Sequence, residues 1–288
     1  MFRLITAGCF LLALVACATL PSPQERQAHA DALAAAHGWQ AVRIPAGAFT
    51  LLAYVPPAIA PQATLTVYLE GDGFAWRDGV TPSSDPTPRD PLALRLAFAD
   101  PTGNAIYLAR PCQYADAEHS GCALRYWTGD RFAPEVIDAT SRALDALKAR
   151  FGASQLVLVG YSGGGAVAAL LASCRVDVDT LVTVAGNLDH RAWTAHHRVE
   201  PLLGSLNAAD VANRLKSLPQ THFVGANDKV IPPVLAQRWP DGIIGPQGAN
   251  LRIIPDADHG CCWVDRWPSM LKELLHNSIS SVIVLERV

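Results

Sequence analysis

Apolar positions along the chain change their period repeatedly. Thr64–Leu69, Ala105–Leu108, Leu156–Val159, Thr180–Val184, Thr221–Val224 and Leu251–Ile254 are short runs rich in apolar and β-branched residues. Such runs suit strands covered on both faces. Gln40–Ile44 and Phe49–Val55 predict an opening hairpin, closed by Pro56, Pro57 and Pro61. Elsewhere the period becomes helical. Over Pro134–Phe151 the residues Val136, Ile137, Leu144, Leu147 and Phe151 recur at helical spacing, and Pro134 suits a first turn. Helices are also predicted at Pro91–Phe98, Ala166–Ser173 and Trp267–Asn277. Strands and helices taking turns predict an α/β fold, with a mainly parallel central sheet and helices on both faces.

The N-terminus breaks this alternation. Arg3 precedes a mostly apolar run, Leu4 to Leu20, which is short for a membrane span and fits a secretory signal. Leu14-Val15-Ala16-Cys17 resembles the lipobox of bacterial lipoproteins. That resemblance implies cleavage before Cys17, lipidation of its thiol and a periplasmic location. Ala18, in place of an aspartate, points to the outer membrane. Residues 1–16 are thus read as signal, 17–30 as a tether and 31–288 as the folded domain.

Composition narrows the function classes. Half of the 288 residues are hydrophobic, enough for a sizeable core, and the net charge is −3 with no basic stripe. A nucleic-acid partner is therefore not expected. Among the seven cysteines, Cys112 and Cys122 bracket a polar stretch that reads as a loop. A bridge there would stabilise by roughly 2–3 kcal/mol in an oxidising compartment. Cys174, Cys261 and Cys262 leave their pairing open; the adjacent pair can either bridge or point apart.

The chemistry gathers where strands end. Gly160-Tyr161-Ser162-Gly163-Gly164 follows an apolar strand and precedes a small-residue helix. This matches the nucleophile elbow G-x-S-x-G, a tight turn that exposes a serine hydroxyl near a helix N-terminus. Gly163 to Ala168 also fits a relaxed dinucleotide fingerprint. However, the next strand runs into Ala185-Gly186-Asn187 and offers no acid for a ribose. Further on, Phe223 to Pro232 is a strand and turn presenting Asp228, and Ile253 to Gly260 is a strand and loop presenting His259. His259 would act as general base for Ser162, and Asp228 would orient it. Asp189 is the main competitor for the acid role, with Asp256 and Asp258 behind it.

This order of motifs resembles the α/β-hydrolase superfamily over nearly all of the chain after the tether. The stretches Ala109-Arg110-Pro111-Cys112-Gln113-Tyr114, Tyr126-Trp127-Thr128 and Ala185 to His190 resemble bacterial lipoprotein-type hydrolases. The resemblance implies an oxyanion hole built from the Gly163 amide and a second amide from Asp72 or Gly73. Here Glu70-Gly71-Asp72-Gly73 stands where the family carries a His-Gly loop. Its two carboxylates would oppose a developing anion unless turned away or paired, with Arg77 and Arg110 as candidate partners.

An insert at Asn187–Ser217 occupies the usual lid position. Its His190, His196 and His197, with Cys261 and Cys262, match no metal-ligand spacing, so neither metal nor cofactor is expected. Tyr161, Trp76, Trp193 and Trp263 are candidate walls of a substrate pocket. Two function classes follow: a carboxylesterase-like serine hydrolase acting on a small ester, thioester or amide, and a non-catalytic lipoprotein that uses the fold to bind a ligand. Oligomeric state has no signal in the sequence.

Overall fold

A computed structural model of the chain describes residues 20–60, 63–115, 121–239 and 249–285. The lipobox and Cys17 lie outside them. Eight strands among these residues form one sheet: β1 (Gln40–Ala46), β2 (Phe49–Val55), β3 (Thr64–Leu69), β4 (Ala105–Leu108), β5 (Gln155–Tyr161), β6 (Val178–Val184), β7 (Gln220–Gly225) and β8 (Ala249–Ile254). Their order is β1-β2-β4-β3-β5-β6-β7-β8. The first hairpin is antiparallel, β2 meets β4 antiparallel, and every later pairing is parallel.

The helices are α1 (Pro23–Ala36), α2 (Leu92–Phe98), α3 (Pro134–Phe151), α4 (Gly163–Cys174), α5 (His190–His197), α6 (Ala208–Val211), α7 (Pro233–Ala236) and α8 (Trp263–Leu285). Strand alternation divides the core between the two faces of the sheet. Leu65, Val67, Leu69, Leu156 and Leu158 pack with α3 and α4, while Tyr54, Tyr68, Tyr107 and Val159 pack with α1, α2 and α8. Period-two patterning of continuous apolar strands thus supplies two cores.

The stretch expected to be a tether is largely helical. Its helix, α1, starts with a complete capping box: Ser22 Oγ accepts from the Glu25 amide, and Glu25 Oε2 accepts from the Ser22 amide at 2.7 Å. Ala30 and Ala34 are buried in the second core, and Arg26 reaches Asp85 at 3.1 Å. Small alanines let the helix lie close to the sheet, so it packs without a conspicuous apolar stripe. The closing helix also starts four residues earlier than its pattern predicts.

Both cysteine pairs are bridged. Cys112 bonds Cys122, and Cys261 bonds Cys262 although the two are neighbours. Cys174 is a free thiol.

The chain reverses direction across the sheet at β3. β4 lies on one side of it and β5 on the other, with α2 and α3 on opposite faces. The carboxyl ends of β3 and β5 therefore flank a switch point, where open α/β sheets place their sites.

Candidate active site

Ser162 stands between β5 and α4 with φ 51° and ψ −120°, outside the regions that side chains normally tolerate. Its amide donates to the Val184 carbonyl, and its own carbonyl accepts from the Gly165 and Asn187 amides. These bonds hold the strained turn. The two motif glycines are sterically required: a Cβ on Gly160 would fall on the Gly164 carbonyl, and one on Gly164 would strike the Leu69 and Glu70 carbonyls.

The three residues expected from the sequence come together. His259 Nε2 lies 3.1 Å from Ser162 Oγ, and His259 Nδ1 lies 2.9 Å from Asp228 Oδ2. In the neutral ring, Nδ1–H donates to Asp228 and Nε2 accepts from the serine hydroxyl. Asp228 is 3% exposed. Its other oxygen accepts from the Val230 and Ile231 amides, each at 2.8 Å. The acid is thereby fixed before it meets the histidine.

The competing acids have other tasks. Asp189 caps α5, accepting from the Arg191 and Ala192 amides and from Asn207 Nδ2. Asp258 Oδ1 accepts from the Gly260 and Cys261 amides and so shapes the histidine loop. Asp256 sits at a left-handed turn position, φ 60°.

The pocket expectation divides. Trp263 does not line an open pocket: it is fully buried, because its indole N–H donates to the Asp258 and His259 carbonyls from beneath the loop. Tyr161 packs against the His259 ring at 5.3 Å and donates to the His259 carbonyl at 3.2 Å. Both aromatics position the base. Trp193 donates to the Val230 carbonyl and joins α5 to the acid turn. Trp76 is 37% exposed in the long loop after β3, bridged to Pro82. The insert's histidines and the last two cysteines do not converge. His197 also bonds the Val230 carbonyl, His190 is buried, and among the described residues no three metal-ligating side chains form a group.

The loop after β3 lies against the nucleophile. A Cβ on Gly71 would come within 3.1 Å of Ser162 Cβ, and one on Gly163 would strike the Asp72 carboxylate. Among the described residues the Asp72 and Gly73 amides donate to no protein acceptor. Asp72 itself is paired: Arg131 Nη1 reaches it at 2.6 Å and Arg110 Nη1 at 3.4 Å. Burial opposes its charge, but Arg131 and Arg110 outweigh burial and hold the carboxyl below its ordinary range. Arg110 answers the expectation; Arg77 does not take part. Arg131 was invisible to sequence reading, since it lies 59 residues from its partner in no motif.

The Ala109–Tyr114 stretch now has a structural task. Besides Arg110, it supplies Gln113, which is 1% exposed and donates to the Gly71 carbonyl at 2.8 Å while accepting from the Arg110 amide. The Cys112–Cys122 bridge sits beside it. This corner therefore clamps the loop that faces Ser162.

Glu70 is the second carboxyl of that loop. It is 1% exposed, and Oε1 accepts from the Gly71 amide at 2.9 Å. Burial raises its pKa to about 7, against smaller opposing contributions from Gly71 and from the facing Tyr107 hydroxyl, which stands outside strict hydrogen-bond geometry. A raised folded pKa contributes stability that is complete below the unfolded value of 4.5 and is lost as pH rises through about 7. Glu70→Gln keeps the acceptor and removes the titration. It should therefore gain about 3 kcal/mol over wild type at pH 8 and little at pH 4; urea unfolding at both pH values checks this.

No protein-family profile and no curated protein matches the chain. Solved structures do. Est1E from Butyrivibrio proteoclasticus superposes with a TM-score of 0.59 at 14% identity, covering 83% of this chain and 99% of its own. The esterase Pf2001 of Pyrococcus furiosus gives 0.58 at 14% identity, covering 83% and 89%. An alpha-beta serine hydrolase homologue from Coxiella burnetii gives 0.56 at 14% identity, covering 83% and 96%. The chain has the α/β-hydrolase fold.

Proposed function

We propose that the protein is a serine hydrolase that cleaves small esters, thioesters or amides through an acyl-enzyme. The observation that carries this is the hydrogen-bonded line from Ser162 through His259 to Asp228, with a strained serine at a helix N-terminus. Ser162 Oγ attacks the substrate carbonyl carbon as His259 Nε2 takes its proton. Asp228 keeps the ring in the required tautomer and stabilises the imidazolium. The new oxyanion lies between the Gly163 amide and the amide of Asp72 or Gly73. Collapse expels the leaving group, which receives the proton from His259. Water then repeats the sequence on the acyl-enzyme and frees Ser162.

The ground for a non-catalytic reading is the acidic loop beside the serine. Against it count the two arginines on Asp72 and the turning of Glu70 towards the Gly71 amide. The simplest substrate class is carboxylic esters, as in the esterases with the same fold.

The protein acts outside the cytoplasm, as a lipoprotein anchored through Cys17 to the outer membrane. Support comes from the apolar leader with its lipobox and from two disulfides, which persist in oxidising compartments.

A panel of p-nitrophenyl esters from acetate to palmitate tests the reaction. Wild type should hydrolyse at least one of them, and Ser162→Ala should fall to the rate of buffer. Equal rates for both proteins would remove the hydrolase reading and leave a binding module.

A further inference from the structure

The residues just past the general base carry chemistry that the proposed reaction does not use. Cys261 and Cys262, which follow His259 and Gly260, are bridged to each other. Cys261 is exposed and Cys262 half-buried, whereas Cys112 of the other bridge is 2% exposed. A bond between neighbours closes a small ring around one peptide bond and so restrains the backbone on both sides of it. Within that ring Cys262 stands at φ 76°, in a left-handed region that residues with a side chain rarely occupy.

The stretch from His259 to Cys262 runs between two fixed points. On one side Asp258 Oδ1 accepts from the Gly260 and Cys261 amides at 2.9 and 2.6 Å. On the other, Trp263 and Trp267 are fully buried and anchor the start of α8 in the second core. Little packs on the chain between them. A Cβ on Gly260 would meet nothing within 4 Å, and Gly260 and Cys261 are both exposed. The bridge is thus a covalent tie across a thinly packed part of the loop. That same loop delivers His259, whose ring must hold 3.1 Å to Ser162 and 2.9 Å to Asp228 together. Opening the bridge lets Cys262 leave its left-handed turn. Because α8 is anchored, the change falls on Gly260 and His259.

We infer that Cys261 and Cys262 are positioning residues for His259, and that their bridge makes the alignment of the base redox-sensitive. The inference rests on the hydrolase reading. A thiolate of a small dithiol attacks the exposed Cys261 sulfur, and Cys262 leaves and takes up a proton. The second sulfur of the dithiol then attacks the mixed disulfide and releases Cys261 as a thiol. The dithiol becomes a disulfide, and two electrons and two protons pass to the protein. Hydrolysis slows in the opened form and recovers when the bridge closes again.

The experiment compares the oxidised protein with the same protein treated with dithiothreitol and desalted without oxygen, so that no thiol reaches the ester. Iodoacetamide and peptide mass spectrometry on an aliquot establish which cysteines have opened. Opening Cys261–Cys262 should lower kcat for the best p-nitrophenyl ester about tenfold, as for a small displacement of a catalytic group. KM should change less than about twofold, because the bridge acts through His259 and not on the substrate. Fluorophosphonate labelling of Ser162 should slow in parallel, and oxidised glutathione should restore both rates. Cys261→Ser/Cys262→Ser, folded by its melting curve, should match reduced wild type and give no response to dithiothreitol.

Free thiols at Cys261 and Cys262 in the untreated protein would overturn the inference. So would a fall in kcat of less than about threefold on reduction, or a loss carried by KM. A response to dithiothreitol that persists in the double variant would do the same, since it places the effect at Cys112–Cys122. An oxidised protein without Ser162-dependent hydrolysis would sink the hydrolase reading and this inference with it. An active enzyme that ignores reduction would sink this inference alone.

Discussion

His259→Ala should lower kcat/KM for the best ester by about 10⁴- to 10⁶-fold, the cost of removing a base from a serine triad. The ring sits between Ser162 at 3.1 Å and Asp228 at 2.9 Å, so its loss strands the nucleophile's proton and isolates the acid. Ser162→Ala should cost about as much, and the double variant little more than either alone, because the residues act as a unit. Steady-state kinetics on the four proteins would show this. Losses that simply multiply would mean that Ser162 and His259 work independently, contrary to the mechanism.

Arg131→Met should be the most damaging change away from the triad. It removes the 2.6 Å partner of Asp72 and leaves Arg110 at 3.4 Å. An under-paired carboxylate would then sit beside Gly163, where negative charge develops. Stability should fall by about 2 kcal/mol, somewhat less than for a fully buried pair because the Asp72 side chain is only partly buried. A drop in kcat of about 10²-fold should accompany it, since the field in an oxyanion hole acts on the transition state. Adding Asp72→Asn to Arg131→Met should recover most of both losses, because the uncompensated charge is gone. Urea unfolding and ester kinetics on the single and double variants measure this. Failure of Asp72→Asn to rescue would place the role of Arg131 in packing, through its bond to the Thr128 carbonyl.

Much of the site was readable in the sequence because its parts are local. An elbow is five residues whose glycines are required by contacts within the turn and with the neighbouring strand end, so the pattern itself carries the geometry. Asp228 and His259 each follow an apolar strand whose end points at the site. Chain order allows either Asp228 or Asp189, so the choice depended on the strand-end turn around Asp228 and the Val230-Ile231-Pro232 that follows it; the structure gives Asp189 a helix to cap instead. What escaped were pairings set by tertiary approach. Arg131 reaches Asp72 only after α3 folds against the sheet, and nothing in its neighbours signals this. Helix α1 was hidden by its alanines, which pack closely without an apolar stripe, although Ser22 and Glu25 spell its cap. Trp263 looked like pocket wall because sequence shows proximity to His259 but not the side from which a ring approaches. The adjacent cysteines left two outcomes open, and the backbone turn at Cys262, φ 76°, accompanies the bridged one.

The most direct test of the account is covalent. A fluorophosphonate reacts with a serine only where a base and an oxyanion hole activate it, so the folded protein should be labelled stoichiometrically at Ser162. Ser162→Ala should not be labelled, and His259→Ala should label at least about 10³-fold more slowly. A folded wild-type protein that resists the probe would contradict the assignment of Ser162 as an activated nucleophile.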